Sequence, residues 1–269
     1  MEPSTAYIVS FSPTGTTRKI LVGIANGFNA ATVEAVNLTP PAEGRPTTHL
    51  GGDGLAIIGA PVYGGRLPAE AISRLRTVRG DNTPAVVVVV YGNRDFEDAL
   101  LELKDLAVEQ GFVPVAGAAF IGEHSFSTRE LPIAVGRPDG PDLDRAAALG
   151  QAVRGKLAGL ASLSAIGPLP IPGRFPYEGG ARAMNVTPVT NEERCTLCGV
   201  CAGVCPTAAI VVGEQVTTEV ERCIRCCACI KSCPEDARLW EDPMMLKIST
   251  WLAENCAARK EPQLFGVSV

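Results

Sequence analysis

Residues 195–206 read CTLCGVCAGVCP, and residues 223–234 read CIRCCACIKSCP. Both stretches follow the spacing C-x2-C-x2-C-x3-C-P, in which a cysteine triplet is followed by a fourth cysteine and a proline. Three thiolates at this spacing can surround one iron–sulfur cube, while a short helical turn carries the fourth cysteine away from it. The spacing therefore predicts two [4Fe-4S] clusters in a small C-terminal module that folds around them.

The position of the fourth cysteine predicts how the ligands are shared. In proteins that carry this run twice, the fourth cysteine of each run ligates the cluster of the other run. We therefore expect two mixed ligand sets, namely Cys195, Cys198, Cys201 and Cys233 in the first and Cys223, Cys226, Cys229 and Cys205 in the second. The alternative is a pair of zinc sites, because a C-x2-C pair also suits tetrahedral zinc. Zinc gains nothing from the closely spaced third cysteine, so clusters are favoured.

Two cysteines, Cys227 and Cys256, remain outside these sets. We interpret them as buried thiols that behave as small hydrophobic side chains, in preference to ligand, redox-switch or disulfide roles. All ten cysteines lie between Cys195 and Cys256, which favours metal binding in a reducing compartment over disulfides spread across the fold. The N-terminus lacks a cationic signal sequence, and no apolar stretch approaches the ~18 residues of a membrane span. We expect a cytoplasmic protein without a membrane span.

Length and composition indicate a second, larger domain. The chain has 269 residues, of which 46% are hydrophobic, enough for a sizeable core in addition to the cysteine module. A net charge of -5 argues against nucleic acid as a partner, since a basic patch is the usual footprint. The predicted organisation is a first domain at 1–163, a Pro/Gly-rich linker at 164–188, the cysteine module at 189–243, and a helix and tail at 244–269.

Residues 1–163 alternate between short apolar runs and helical patterns. Apolar runs bounded by turn residues are typical of strands buried on both faces of a parallel sheet. The predicted strands are 6–11, 32–36, 55–58, 85–91 and 113–121. The predicted helices are 16–29, 68–78, 96–110 and 143–163. In the third helix the leucines face the core and Glu102, Lys104 and Asp105 lie outside. Five such repeats predict an α/β domain with a doubly wound parallel sheet.

Three unusual loops follow strands of this sheet, at residues 12–17, 60–68 and 91–96. In doubly wound sheets, ligands bind beyond the carboxyl ends of the strands. The first loop, SPTGTT, combines hydroxyls, a glycine and a helix start, which together favour an anion. It lacks the G-x-G-x-x-G and P-loop patterns, so a phosphate monoester is favoured over NAD or ATP. The other interpretation is an ordinary helix cap followed by two ordinary turns.

The chain resembles a known family in these motifs. SPTGTT at 12–17 is similar to the FMN phosphate loop of flavodoxins, and the whole chain resembles flavodoxin–ferredoxin fusion proteins, including PVYGGRLP at 61–68, YGNR at 91–94 and GEHS at 122–125. The resemblance implies a flavodoxin-like five-stranded parallel sheet, a smaller α+β ferredoxin domain and bound FMN. The implied FMN-binding residues are Ser12, Thr14, Gly15, Thr16, Thr17, Pro61, Val62, Tyr63, Gly64, Gly65, Tyr91, Gly92, Asn93 and Arg94.

Within that set the resemblance assigns separate roles. The hydroxyls of the first loop would hold the FMN phosphate, Tyr63 would stack on the isoalloxazine, and Gly64 and Asn93 would reach its edge. Phe96 is either a second stacking aromatic or part of the helix core. His124 follows the last strand and is either structural or catalytic, with a charge that could respond to flavin reduction near neutral pH.

The linker and the tail carry weaker patterns. Prolines and glycines between residues 167 and 180 predict a semi-rigid connector that either spans freely or wraps along the surface. A helix is predicted at 242–255, which we expect to seal the cysteine module against the first domain. Its predicted apolar side is Leu246, Ile248, Trp251 and Leu252.

These patterns favour an intramolecular electron relay. Clusters exchange one electron at a time whereas FMN can exchange two, so the fusion would couple the two kinds of redox step for protein donors and acceptors. The alternative is an FMN-dependent reductase of a small substrate, which an open cavity lined by His124 or Arg94 would favour. A third possibility is a redox-sensing interaction protein without turnover.

Overall fold

The computed structural model describes residues 3–41, 44–180 and 184–268. Within these residues, the N-terminal part alternates strands and helices along the chain. Its strands are β1 (Thr5–Ser10), β2 (Thr32–Asn37), β3 (Thr48–Leu50), β4 (Gly54–Pro61), β5 (Val78–Gly80), β6 (Thr83–Tyr91) and β7 (Phe112–Ile121). Its helices are α1 (Thr16–Phe28), α2 (Ala69–Leu75), α3 (Ala99–Glu109) and α4 (Gly140–Ala158), followed by a 3-10 turn at Leu163–Ala165.

Most elements of the C-terminal part are shorter, with the exception of its last helix. Its strands are β8 (Val189–Thr190), β9 (Ile210–Val212), β10 (Val216–Thr218), β11 (Arg238–Leu239) and β12 (Gln263–Phe265). Its helices are α5 (Val200–Gly203), α6 (Ala228–Lys231) and α7 (Pro243–Asn255). Strands β9 and β10 form an antiparallel hairpin, and β8 pairs with β11. These two small sheets and two one-turn helices make up the α+β cysteine module. No helix of the described residues is long and apolar enough to cross a membrane.

The main sheet contains five parallel strands in the order β2-β1-β4-β6-β7. Numbered only among themselves, these strands have the order 2-1-3-4-5 of flavodoxin-like doubly wound sheets, which confirms the predicted fold class. A sixth strand was not predicted. The C-terminal β12 pairs antiparallel with β7, and it thereby covers what would otherwise be an open edge of the sheet.

The core of the first domain lies on both faces of this sheet. Strand β6 is buried at every residue, as expected for a central strand covered by helices on both sides. Helices α1 and α4 cover one face, while α2 and α3 cover the other. Helices α1 and α4 approach each other closely at Gly150, where an added Cβ would lie 2.1 Å from the carbonyl oxygen of Ile24.

The linker wraps along the surface of the first domain. The Asp98 carboxylate accepts hydrogen bonds from the backbone N–H groups of Arg174 and Glu178, both at 2.8 Å. The Tyr177 hydroxyl donates to Asp105 at 2.6 Å, and Leu169 is buried in the core. Of the two possibilities for this segment, the wrapped one is the one observed.

Candidate redox centres

A cavity of about 340 Å³ lies at the carboxyl ends of the parallel strands, and we call it the sheet-end cavity. The three predicted loops and the segment after β7 form its walls. Those walls include Thr14, Thr16, Pro61, Val62, Tyr63, Gly64, Tyr91, Gly92, Arg94, Gly122, Glu123, His124, Ser125 and Phe126. Nine of these belong to the predicted FMN-binding set. Ser12, Gly15, Thr17, Gly65 and Asn93 belong to the same set but do not line the cavity.

The first loop divides its hydroxyls between the helix and the cavity. Ser12 stabilises the start of α1, because its Oγ accepts the N–H of Arg18 at 3.1 Å. The hydroxyls of Thr14 and Thr16 lie 3.4 Å apart and face the cavity. Gly15 has a φ of 82°, and the buried Oγ1 of Thr17 has no hydrogen-bond partner among the described residues. The loop therefore offers polar groups that are not satisfied by the protein.

The second loop is a tight turn that needs its glycines. Tyr63 and Arg66 exchange backbone hydrogen bonds of 2.9 and 3.3 Å, with Gly64 and Gly65 between them at φ of 61° and 85°. An added Cβ at Gly65 would lie 1.7 Å from a carboxylate oxygen of Glu97. A left-handed conformation of this kind is costly for any residue with a side chain.

An ion pair between the partly exposed Arg66 and the buried Glu102 anchors this turn to helix α3. Arg66 donates to Glu102 through Nε at 2.9 Å and Nη2 at 2.5 Å, and the N–H of Leu67 donates to the same carboxylate at 3.0 Å. The prediction that Glu102 lies on the outside of α3 is therefore wrong. Glu102 is buried because it supplies the acceptors that hold the second loop.

Asn93 in the third loop has a different role from the one that the resemblance implies. Its amide nitrogen donates to the carbonyl oxygens of Cys256 at 2.6 Å and Ala258 at 2.8 Å. Asn93 therefore holds the C-terminal segment and does not reach into the cavity.

Phe96 belongs to the buried core and packs against Tyr91, with ring centroids 5.6 Å apart, so the helix-core alternative agrees with the structure.

His124 is held as a neutral imidazole in the cavity wall. Its Nδ1 accepts the N–H of Phe126 at 3.0 Å, which leaves the proton of the neutral ring on Nε2. Burial lowers the pKa of His124 to about 4, and the positive charges of Lys231 and Arg94 add to this effect. The ring is therefore neutral near pH 7 in this structure, and a response of its charge to flavin reduction stays a prediction.

Helix α7 forms the roof of the sheet-end cavity. Its Asp242 carboxylate caps the helix by accepting the N–H groups of Met244 and Met245, both at 3.0 Å. The roof residues that line the cavity are Met245, Ile248, Trp251 and Leu252. Leu246 was predicted on the apolar side but faces solvent, and Trp251 is 52% exposed, so it lies at the mouth of the cavity.

The cysteine runs surround two further cavities of about 20 Å³ each. The four cysteines that line the first, which we call the distal cysteine cavity, are Cys195, Cys198, Cys201 and Cys233. The predicted ligands that line the second, the proximal cysteine cavity, are Cys205, Cys223, Cys226 and Cys229, with Cys227 beside them. Each cavity thus combines three cysteines of one run with the fourth cysteine of the other. This grouping has the composition of the two predicted ligand sets.

The two remaining cysteines are buried thiols. Cys227 has a φ of 60°, and its Sγ accepts the indole N–H of Trp240 at 3.3 Å. Burial raises its pKa well above the usual range. Cys256 lies buried at the end of α7, where its carbonyl oxygen receives the Asn93 amide. No disulfide bond joins any of the ten cysteines, all of which belong to the described residues.

The proximal cysteine cavity lies directly against the sheet-end cavity. Ile224 and Arg225 line both of them. Burial raises the pKa of Tyr63 well above its usual value, and the nearby thiols of Cys226 and Cys227 raise it further, which places this phenol next to the same boundary. None of the residues that line the distal cavity also lines the sheet-end cavity.

Two charged side chains fix the cysteine module at this boundary. Lys231 of α6 forms a 2.6 Å ion pair with Glu123 and donates to the carbonyl oxygen of Ser127 at 2.7 Å. On the other side, Arg74 of α2 donates to the carbonyl oxygen of Pro206 at 2.6 Å, next to Cys205. Both contacts lie beside proximal cysteines, so they hold the proximal cavity against the first domain.

Comparisons with known proteins bear on both parts of the chain. The family of 4Fe-4S binding domains matches residues 188–211, which include the first cysteine run. No curated protein matches the chain. A flavodoxin from the domain Archaea is 13% identical, with a TM-score of 0.38 over 57% of this chain and 99% of that one. The Streptococcus pneumonia TIGR4 flavodoxin is 18% identical, with a TM-score of 0.41 over 56% of this chain and 99% of its own.

A larger protein also resembles part of the chain. The rubredoxin oxygen:oxidoreductase from Desulfovibrio gigas is 15% identical, with a TM-score of 0.43 over 59% of this chain and 37% of its own. The sheet order and the iron–sulfur family match confirm that a flavodoxin-like domain is combined with a 4Fe-4S domain. This combination supports an electron-transfer role that uses iron–sulfur and FMN chemistry.

Proposed function

We propose that this chain is an electron-transfer protein that holds FMN in the sheet-end cavity and one [4Fe-4S] cluster in each cysteine cavity. When bound, FMN exchanges one or two electrons and each cluster exchanges one, which would couple the two kinds of redox step in anaerobic metabolism. The observation that carries the proposal is the wall shared by the proximal cysteine cavity and the sheet-end cavity, formed by Ile224 and Arg225.

The residues of the sheet-end cavity fit FMN. A phosphate group needs hydrogen-bond donors, and the loop supplies the hydroxyls of Thr14 and Thr16 together with the N-terminus of the 13-residue helix α1. The unpartnered Thr17 hydroxyl adds a donor close to this helix start. Tyr63 and Tyr91 supply aromatic surface for a planar ring system.

The cysteine cavities fit clusters better than single metal ions. Zinc would need its thiolates to meet at one point, about 2.3 Å from the metal. No three His, Cys, Asp or Glu side chains of the described residues converge in that way. A cube presents a separate iron to each of four cysteines, so the thiolates surround a volume, as they do around each cavity here.

The protein's own contribution is to position these sites and to exclude water. Lys231 and Arg74 hold the proximal cysteines against the first domain, which keeps the path between the two cavities short. Met245 and Leu252 of α7 place buried apolar side chains over the sheet-end cavity. We propose that redox proteins act as donor and acceptor and that the chain works in the cytoplasm, where clustered thiols stay reduced.

Cofactor analysis of anaerobically purified protein tests this proposal. We expect about eight irons per chain from two cubes, and FMN as the flavin released by heating. Two zinc ions per chain would show that the cysteines form mononuclear metal sites and would contradict the cluster assignment. FAD, or no flavin in a preparation that is fully loaded with iron, would contradict the assignment of the sheet-end cavity.

The reductase alternative retains support from one observation. His124 and Arg94 both line the sheet-end cavity, and His124 carries its proton on Nε2, where it can donate to a small ligand. Steady-state reduction of menadione, a small quinone, separates the two functions. A tenfold or larger loss of rate in His124→Gln, with FMN and iron content unchanged, would favour the reductase. Equal rates would favour the relay.

A further inference from the structure

One arginine of the cysteine module is buried without a carboxylate partner. Arg238 in β11 is 3% exposed, and among the described residues no Asp or Glu lies within ion-pair distance of it. Its Nη1 donates to the Thr190 hydroxyl at 2.6 Å and its Nη2 to the Thr218 hydroxyl at 2.8 Å. Its Nε is buried and has no hydrogen-bond partner in the part of the chain that the structure describes.

Arg238 lies between the two sets of cysteines. It lines the distal cysteine cavity, and its Nη2 donates to the Thr218 hydroxyl. Thr218 in turn lines the proximal cysteine cavity. One guanidinium therefore borders one cysteine cavity and is hydrogen-bonded to the wall of the other.

Burial of a cation whose hydrogen-bond partners are all neutral lowers the free energy of unfolding. Removing a charged side chain from water costs several kcal/mol, and hydroxyl groups compensate this less well than an opposite charge does. Cysteines line the cavities on both sides of Arg238, and their thiolate charge becomes permanent when they ligate iron. The net charge and the hydrogen bonding around a cluster in turn set its reduction potential.

We propose that Arg238 is a countercharge shared by both cluster sites and that it raises the reduction potential of both clusters. A reduced cluster carries one more negative charge than an oxidised one, so a nearby buried cation stabilises the reduced form more. The inference rests on the proposed function, because it requires clusters in both cavities. It assigns a tuning role to a residue that is not a ligand.

Redox titration of the loaded protein, followed by EPR, tests this role with matched variants. In Arg238→Gln we expect both cluster potentials to fall, each by a tenfold or larger change in the reduction equilibrium, which is about 59 mV for a one-electron couple. Arg238→Lys keeps the charge, so both potentials should stay closer to those of the wild type. The control is Arg194→Gln, an exposed arginine 3.7 Å from Asp236 and next to Cys195, whose loss should shift neither potential by that amount.

The possible outcomes separate a countercharge from a structural residue. Unchanged potentials in Arg238→Gln, or a fall at one cluster alone, would overturn the proposal. If Arg238→Gln loses its iron, the Arg238→Lys variant tests the proposal instead. Cluster potentials close to those of the wild type in Arg238→Lys support a charge effect, and a tenfold or larger change in the reduction equilibrium in that variant contradicts it. Absence of iron from the wild-type protein would instead overturn the proposed function itself.

Discussion

The two cysteine runs have the same spacing but lie in different surroundings. In the first run Cys198 is exposed, and the neighbouring Leu197 is 44% exposed. In the second run the equivalent of Cys198, Cys226, is buried, and burial raises its pKa to about 12. The spacing predicts which atoms bind iron, whereas the surrounding chain would determine what each proposed cluster exchanges electrons with. The distal cavity adjoins solvent at Cys198, while the proximal cavity adjoins the sheet-end cavity.

The residue that follows the second cysteine is a second point of difference between the two runs. The residue after the second cysteine has a left-handed conformation in both runs, with φ of 77° at Gly199 and 60° at Cys227. Glycine adopts this conformation freely, but a residue with a side chain does so at a cost of about 1–2 kcal/mol. At Cys227 this cost is accompanied by a buried contact with Trp240, which has no counterpart at Gly199.

The largest expected effect comes from removing one ligand from each site. Cys198→Ala should remove the EPR signal of the distal cluster, and Cys205→Ala should remove that of the proximal cluster, although both residues belong to the first run. The signal that remains in one variant should therefore match the signal lost in the other. Loss of the same signal in both variants would mean that each run binds its own cluster. Iron content measured on the same samples identifies incomplete loading.

A smaller effect is expected from a side chain at Gly199. Gly199→Ala should lower the stability of the module by about 1–2 kcal/mol, because an added Cβ has open space around it and only the left-handed backbone resists the change. The control is Gly203→Ala in α5, where there is also open space and φ is not positive. Apparent melting temperatures of the loaded proteins measure the difference. Equal melting temperatures for the two variants would contradict the strain argument.

The smallest effect concerns acid stability near the proximal site. His124 has a pKa of about 4 in the folded protein and about 6.5 when unfolded. Between these values His124 is protonated in the unfolded state but neutral in the folded state. The neutral, buried His124 therefore contributes fully to folding stability above pH 6.5, and that contribution is lost as the pH falls towards 4. His124→Gln should make the fall in melting temperature over this range shallower. The control is the exposed His49→Gln, and identical pH profiles for the two variants would contradict the burial of His124.

Local patterns were sufficient to predict the sheet and the three loops. Apolar runs and helical spacing depend on residues close in sequence, and they led to the five parallel strands, while the flavodoxin-like fold was implied by the resemblance of the loop motifs. The grouping of cysteines was predicted from the spacing together with the ligand sharing known for proteins that carry this run twice. The predicted ligand and FMN assignments stay predictions, although the cavities have the composition that they require.

Contacts between distant parts of the chain could not be predicted in this way. Asn93 was assigned to the flavin, but it binds a carbonyl oxygen 163 residues later, and nothing in the YGNR motif indicates that contact. Glu102 is buried because Arg66 reaches it from another loop. On α7 the buried positions include Ser249, whose hydroxyl donates to the carbonyl oxygen of Met245 at 2.9 Å, and the predicted apolar residue Leu246 faces solvent, so hydrophobicity alone misplaced these two residues.

An anaerobic electron count tests the central claim most directly. The loaded protein is titrated with a one-electron reductant while visible spectra report the flavin and EPR reports the clusters. The account predicts about four electrons per chain, two for FMN and one for each cluster, with flavin and clusters in equilibrium after every addition. A total of about two electrons, or a flavin that fails to equilibrate with the clusters, would contradict an internal relay.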